Sequence, residues 1–285
     1  MTEAREAVSA RSSSLLGDTA ARDYAAKLSR FNDYAKPELR RLIKSLRLRP
    51  GMHVLDAGCG TGEALNWLLG EVAPSELVVG VDLAAAHASA ARLRVPPSIQ
   101  IHQANLFDAP LEPASFDFVW CVNTINHLID PVKGVVHLAT LLRQGGRVAL
   151  GQSSFLPDMY FAWDARLERA TNDAVRRYYQ DRYNIEERDL KAVRALVGIL
   201  HRAALRNVTV STVVIERTWP VDEATELYLR DTIFRDTWGE RLRPYLPTDD
   251  YQELARLCNP QDADYALRRC DFHFLQTFTL TTGEI

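Results

Sequence analysis

The chain has 285 residues, 47% hydrophobic and 25% charged, with a formal net charge of −3 and a pI near 6.2. That length suffices for one full core with an elaboration, and the composition is that of an ordinary globular protein. So small a charge provides no field for holding a polyanion, and no apolar run approaches the roughly 18 residues that span a bilayer, which sets aside nucleic-acid and membrane-spanning classes.

Residues 1–20 carry charges and small polar side chains without the apolar centre of a secretory leader, so a flexible tail is expected there. Cys59, Cys121, Cys258 and Cys270 lack CxxC spacing and are too few for a disulfide scaffold, which fits a reducing, cytoplasmic setting. From Asp18 to about Leu48 apolar residues recur at three and four: Tyr24, Leu28, Phe31 and Tyr34, then Leu39, Leu42, Ile43 and Leu46. Pro37 predicts the start of a second helix, and Arg49-Pro50-Gly51 ends it.

The next hundred residues alternate short apolar runs with helical patterns. Strands are expected at 53–56, 77–82, 99–103, 116–121 and 146–151, and helices at 62–71, 84–93 and 132–142, the rhythm of a mostly parallel sheet covered on both faces. Beyond 152 the rhythm changes, with long helices expected at 159–181 and 187–204 and β-branched strands at 207–216 and 272–282. A largely helical stretch from Pro220 to Arg269 precedes the last strand.

The stretch MHVLDAGCGTG, 52–62, carries three glycines where a strand turns into a helix. Glycine permits positive φ there and keeps Cβ atoms away from a ligand crossing the backbone. As a dinucleotide fingerprint it fails at its third glycine, since Glu63 stands in that place, and no GK[ST] follows to make a phosphate-cradling loop. Asp56, just before the glycines, repels phosphate but suits an ammonium group. Asp82, closing the strand in LVVGVDLA, suits the paired hydroxyls of a ribose. A ligand with a cation, a ribose and no phosphate fits both carboxylates.

On these residues the chain resembles the class I S-adenosylmethionine-dependent methyltransferases, notably the small-molecule group that includes ubiquinone/menaquinone-type and natural-product enzymes. The resemblance implies a Rossmann-like α/β fold: a mostly parallel seven-stranded sheet with an antiparallel last strand, amino-terminal helices, and a helical insertion before that strand. It implies one methyltransferase domain over 21–285, with a helical cap at 21–48, a cofactor core at 50–152, and substrate-covering elements at 153–206 and 217–270. The cofactor implied is S-adenosyl-L-methionine. Its contacts would be Asp56, Gly58, Cys59, Gly60 and Gly62, then Asp82 and Leu83, then Asn105 and Leu106 at the adenine, where many relatives carry Asp instead of Asn105. Cys121 and Asn123 would face the methionine moiety, and Tyr24 and Tyr34 would close over it from the cap.

Methyl transfer from a sulfonium is an in-line displacement on an activated carbon, so positioning is expected to supply most of the catalysis. His127 and Asn126, after the fourth strand, are the candidates for acid, base or polar assistance. Gln152, Ser153, Tyr160 and Trp163 are the candidates for contact with the acceptor. The aromatic residues beyond 152 favour an enclosed, apolar or aromatic small-molecule acceptor, methylated on O, N or C. The seven scattered histidines form no metal-binding spacing, so no metal is expected. No nucleic-acid or membrane partner is expected, and a homodimer is left open. The same pocket would also serve a non-methylating enzyme such as a cyclase, or a noncatalytic scaffold.

Overall fold

The computed structural model describes residues 24–74, 77–154, 160–161, 164–184 and 192–285. The expected tail at 1–20 lies outside them. Runs of apolar side chains too short for helices, such as Val54-Leu55 and Val119-Trp120-Cys121, are buried on both faces of one sheet. Strands β1 (Val54–Ala57), β2 (Val78–Asp82), β3 (Gln100–Gln103), β4 (Phe116–Val122) and β5 (Leu142–Ser153) lie parallel in the spatial order β3-β2-β1-β4-β5.

The sheet continues through β8 (His273–Glu284), antiparallel to β5, to the edge strand β7 (Arg206–Thr218), antiparallel to β8. The described strands thus form the mostly parallel sheet with antiparallel final pairing that the resemblance implied. The fold adds a two-residue strand, β6 (Tyr160–Phe161), paired with Leu275 and Phe274 of β8. Since β7 occupies the other edge of β8, β6 prolongs the path of β5.

Helix α1 (Ala25–Ser45) packs on one face with α2 (Glu63–Val72), α3 (Ala85–Arg94) and the stretch before β8. The opposite face is covered by α4 (Pro131–Leu141) and α6 (Leu196–Arg202). Between them in the chain lies α5 (Ala165–Tyr183).

Two expectations are corrected. Pro37 does not divide the first helix: α1 runs unbroken through it. Proline removes one backbone hydrogen bond, but Phe31, Tyr34, Ala35, Leu39, Leu42 and Ile43 form one buried stripe that crosses the proline and holds both halves in line. The helix expected at 159–181 starts at Ala165 instead. Asp164 caps it by accepting from the Arg166 and Leu167 amides, and residues 160–161 are drawn into the sheet.

The stretch before β8 is helical as expected. It comprises α7 (Glu223–Leu227), an 11-residue π-helical segment (Tyr228–Trp238), α8 (Gly239–Leu242) and α9 (Thr248–Leu257). Among the described residues no helix is long and apolar enough to cross a membrane.

Candidate functional site

The carboxyl ends of β1, β2 and β4 bring the glycine run, Asp56, Asp82 and the turn after Val122 together. Gly58, Gly60 and Gly62 all have positive φ, at 83°, 52° and 86°. The Gly58 and Cys59 amides both donate to the Val81 carbonyl, at 2.8 and 2.9 Å, which folds the loop back over the end of β2. A Cβ on Gly58 would lie 2.1 to 2.8 Å from side-chain atoms of Thr124, whose hydroxyl donates to the Val122 carbonyl at 2.9 Å. Gly58→Ala is therefore expected to destabilise the fold by about 2–4 kcal/mol, from the positive φ and overpacking together. Urea denaturation checks this, and Thr124→Ala, which removes the two closest atoms, should restore part of the loss.

Asp56 is 2% exposed, and among the described residues its Oδ2 has no hydrogen-bond partner. Burial, with the neighbouring Asp82 adding, pushes its carboxyl well above the ordinary carboxylate range. Two acids facing one dry corner call for a cation, and an ammonium group satisfies the orphaned oxygen.

Asp82 already has structural partners. Its Oδ2 accepts from the Gly60 amide at 2.9 Å, and its Oδ1 accepts from the Ala84 amide at 2.9 Å and lies 3.2 Å from Nδ1 of His87. A carboxylate has about four lone-pair directions, so acceptor capacity remains for hydroxyl groups.

The cap is fastened to this corner. Leu28 of α1 lies over Gly60, 3.2 Å from where a Cβ would stand. Glu63, noted in the sequence only as a missing glycine, is 6% exposed. Its Oε2 accepts from Thr61 at 2.6 Å and from Asn32 of α1 at 3.1 Å, and its other oxygen is ion-paired with Arg94, which also donates to Ser29. A carboxylate at the first helical residue also meets the positive end of α2. The position lost as a glycine is thus used to hold the cap.

The remaining candidates divide. Tyr24 is at the cap entrance, its amide donating to Nε2 of His87 at 3.1 Å. Leu83 is 38% exposed beside Asp82. Asn105 is exposed and its Oδ1 accepts from the Phe107 amide at 3.0 Å, while Leu106 is buried beneath it. Asn123 has φ of 51°, and its Oδ1 accepts from the Ser153 amide at 2.9 Å, so this side chain ties the ends of β4 and β5 together.

Asn126 and His127 lie on a 3-10 turn, Ile125–His127, beyond β4. Cys121 points into the α4 layer, and burial pushes its thiol upward, as it does for Cys59, so neither is a thiolate nucleophile. Gln152 and Ser153 are buried at the end of β5. The side chain of Tyr160, and Trp163 altogether, lie outside the described residues.

Tyr34, the second tyrosine candidate of the cap, belongs to the buried stripe of α1. It is 1% exposed, stacked on Tyr228 with ring centroids 4.3 Å apart, and edge-on to Phe274 at 6.0 Å. The Tyr228 hydroxyl donates to Oε1 of Gln276 at 3.2 Å. Among the described residues the Tyr34 hydroxyl and the Gln276 amide nitrogen have no partner, although both are buried. Burial pushes both phenols above their ordinary value, with Tyr228 adding to the shift at Tyr34, so both remain protonated donors at neutral pH. Tyr228 is one of the aromatic residues beyond 152 from which an enclosed acceptor was expected, whereas Gln276 was not a candidate; Tyr228 reaches Tyr34 from the stretch before β8 and links it to Gln276 of β8.

A recess of about 470 Å³ at the other end of the sheet, lined by Arg47, Arg49, Asp117, Arg147 and Glu284 among others, contains none of the candidates. No cluster of three metal-ligating side chains is found among the described residues.

Residues 55–150 match the family described as "Methyltransferase domain". An uncharacterized 37.1 kDa protein in transposon Tn4556 of Streptomyces fradiae is 32% identical over 126 residues, covering 44% of this chain and 34% of that protein. The 27-O-demethylrifamycin SV methyltransferase of Amycolatopsis mediterranei is 32% identical over 122 residues, covering 41% of this chain and 44% of that one. The match thus spans less than half the length of these two relatives. The YcgJ protein of Bacillus subtilis shares the fold at a TM-score of 0.51 and 17% identity, covering 86% of this chain and 96% of that one.

Proposed function

We propose, for a chain that belongs to the class I S-adenosylmethionine-dependent methyltransferases of the small-molecule group, that it transfers a methyl group to an O, N or C atom of a small apolar or aromatic acceptor. The observation that carries the reading is the buried Oδ2 of Asp56, beside Asp82 and without a hydrogen-bond partner among the described residues. The bound sulfonium would supply an already activated methyl carbon, leaving alignment and exclusion of water to the protein.

In this reading Asp56 takes the ammonium of the methionine moiety, and Asp82 accepts from the ribose hydroxyls while retaining its backbone donors. Asn105 and Leu106 border the adenine, with Leu83 beside the ribose. Gly58, Cys59, Gly60 and Gly62 bring backbone to the ligand, and the amide and carbonyl groups around Cys121 and Asn123 border the methionine chain. Tyr24 and Leu28 close the cap. Asn126 and His127 stand where an acceptor's proton leaves, and Gln152 and Ser153 border the acceptor. Tyr34, Tyr228 and Gln276 add an aromatic wall with two hydrogen-bond donors.

The test is calorimetric titration of the wild-type chain and Asp56→Asn with S-adenosylhomocysteine. The amide keeps the shape but loses the charge, so affinity should fall roughly 10- to 100-fold, about 1.5–3 kcal/mol. Proton linkage gives a second readout. Burial raises the Asp56 carboxyl in the free protein, and an ammonium partner lowers it again by favouring the ionised form. Binding should therefore release a proton, affinity should rise with pH until Asp56 ionises without ligand, and the heat should vary with the buffer's ionisation enthalpy. Equal heats and affinities for the two proteins would remove Asp56 from this role.

A further inference from the structure

We infer that His87 is a positioning residue that couples occupancy of the Asp82 corner to closure of the α1 cap. The inference rests on the proposed function insofar as Asp82 holds the ribose. It concerns a residue that neither the glycine motif nor the catalytic candidates include.

His87 is in the first turn of α3, five residues after Asp82, and is 8% exposed. Its two ring nitrogens face different elements. Nε2 lies 3.1 Å from the Tyr24 amide, which can only donate, so Nε2 must accept. In the neutral ring the proton then sits on Nδ1, which donates to Oδ1 of Asp82 at 3.2 Å. The same carboxylate accepts from Gly60 through its other oxygen. One hydrogen-bonded line thus runs from the glycine loop through Asp82 and His87 to the start of α1.

That start needs an external partner. The first amides of any helix lack acceptors within it, and Tyr24, preceding Ala25, makes no side-chain cap for α1. The ring of His87 supplies the acceptor from another layer of the fold. Elsewhere the amino-terminal half of α1 is held to the core by Asn32 on Glu63 and Ser29 on Arg94. Those bonds fix its body, while His87 alone reaches from α1 to the proposed ribose carboxylate among the hydrogen bonds described. A hydroxyl donated to Asp82 orients the carboxylate and hence the ring that receives the Tyr24 amide. By reciprocity, ordering of α1 favours the ligand by the same factor.

The experiment is hydrogen exchange by mass spectrometry on the full chain, with and without saturating S-adenosylhomocysteine, alongside calorimetry. In the wild type the ligand should slow exchange in a peptide covering 24–31 by about fivefold or more. His87→Ala should still bind the ligand, several-fold more weakly, but lose that ligand-dependent slowing. His87→Gln should restore it, because its amide oxygen can accept from Tyr24 while its NH2 donates to Asp82. Peptides from β1 and β4 that remain protected show that each variant is folded. Equal ligand-dependent slowing at 24–31 in His87→Ala and wild type overturns the coupling while leaving the proposed function intact. Failure of the wild type to bind S-adenosylhomocysteine overturns the proposed function, and this coupling with it.

Discussion

Asp82→Ala is expected to weaken S-adenosylhomocysteine binding by roughly 100-fold or more, about 3 kcal/mol, a larger loss than that from Asp56→Asn. The reason is the number of groups that converge on one carboxylate. It accepts from the Gly60 amide, the Ala84 amide and the His87 ring before any ligand is considered. Truncation therefore removes the proposed ribose acceptor, leaves the Gly60 amide without its acceptor, and takes the acceptor from Nδ1 of His87. Asp82→Asn should rescue little, because its NH2 would face an N–H donor that needs an acceptor. Calorimetry of both variants checks this; wild-type affinity in Asp82→Ala would exclude it from the cofactor corner.

The largest stability effect is expected at Arg217→Met, about 3–5 kcal/mol by urea denaturation. Arg217 of β7 grips both oxygens of Glu38 at 3.1 and 3.0 Å, donates to the Tyr34 carbonyl at 2.6 Å, and lies 4.8 Å over the Tyr34 ring. The side chains of Glu38 and Arg217 are only 8% and 16% exposed. Removing the guanidinium strands a buried carboxylate whose other cation, Arg41 at 3.7 Å, is 70% exposed and weakly placed to help. Arg217→Met with Glu38→Met should recover most of the loss, since removing both charges leaves neither unpaired. Equal destabilisation in the single and double variants would show that the pair is not the source. The same contact sets Tyr34 against Tyr228, so the single variant should also disturb the proposed acceptor wall.

How much was legible beforehand varied with the range of the interactions involved. The strands and helices between 53 and 151 were readable because a two-residue or 3.6-residue apolar period is local, and the observed elements differ mainly at their ends. The largest such shift is in β5, which begins at Leu142 instead of Gly146. Pro37 misled because its cost is local, whereas the stripe that overrides it is completed by packing against distant residues. The helix expected at 159–181 lost its first turn for the same reason: β8, more than a hundred residues later, offered an edge to residues 160–161.

By itself, the sequence determined the parallel core, the glycine turn and the placing of the two acids proposed to hold a cationic, ribose-bearing ligand, since spacing within a strand-turn-helix unit dictates where those groups emerge. Only the tertiary structure decided that Glu63 and His87 fasten the cap, that Asn123 is used between strands, and that Tyr34 belongs with Tyr228 and Gln276. Each of these depends on a hydrogen bond or ring contact between residues at least 30 apart in the chain. Chain periodicity carries no record of such pairings; they arise when layers packed for apolar burial bring polar atoms within 3 Å or so of one another.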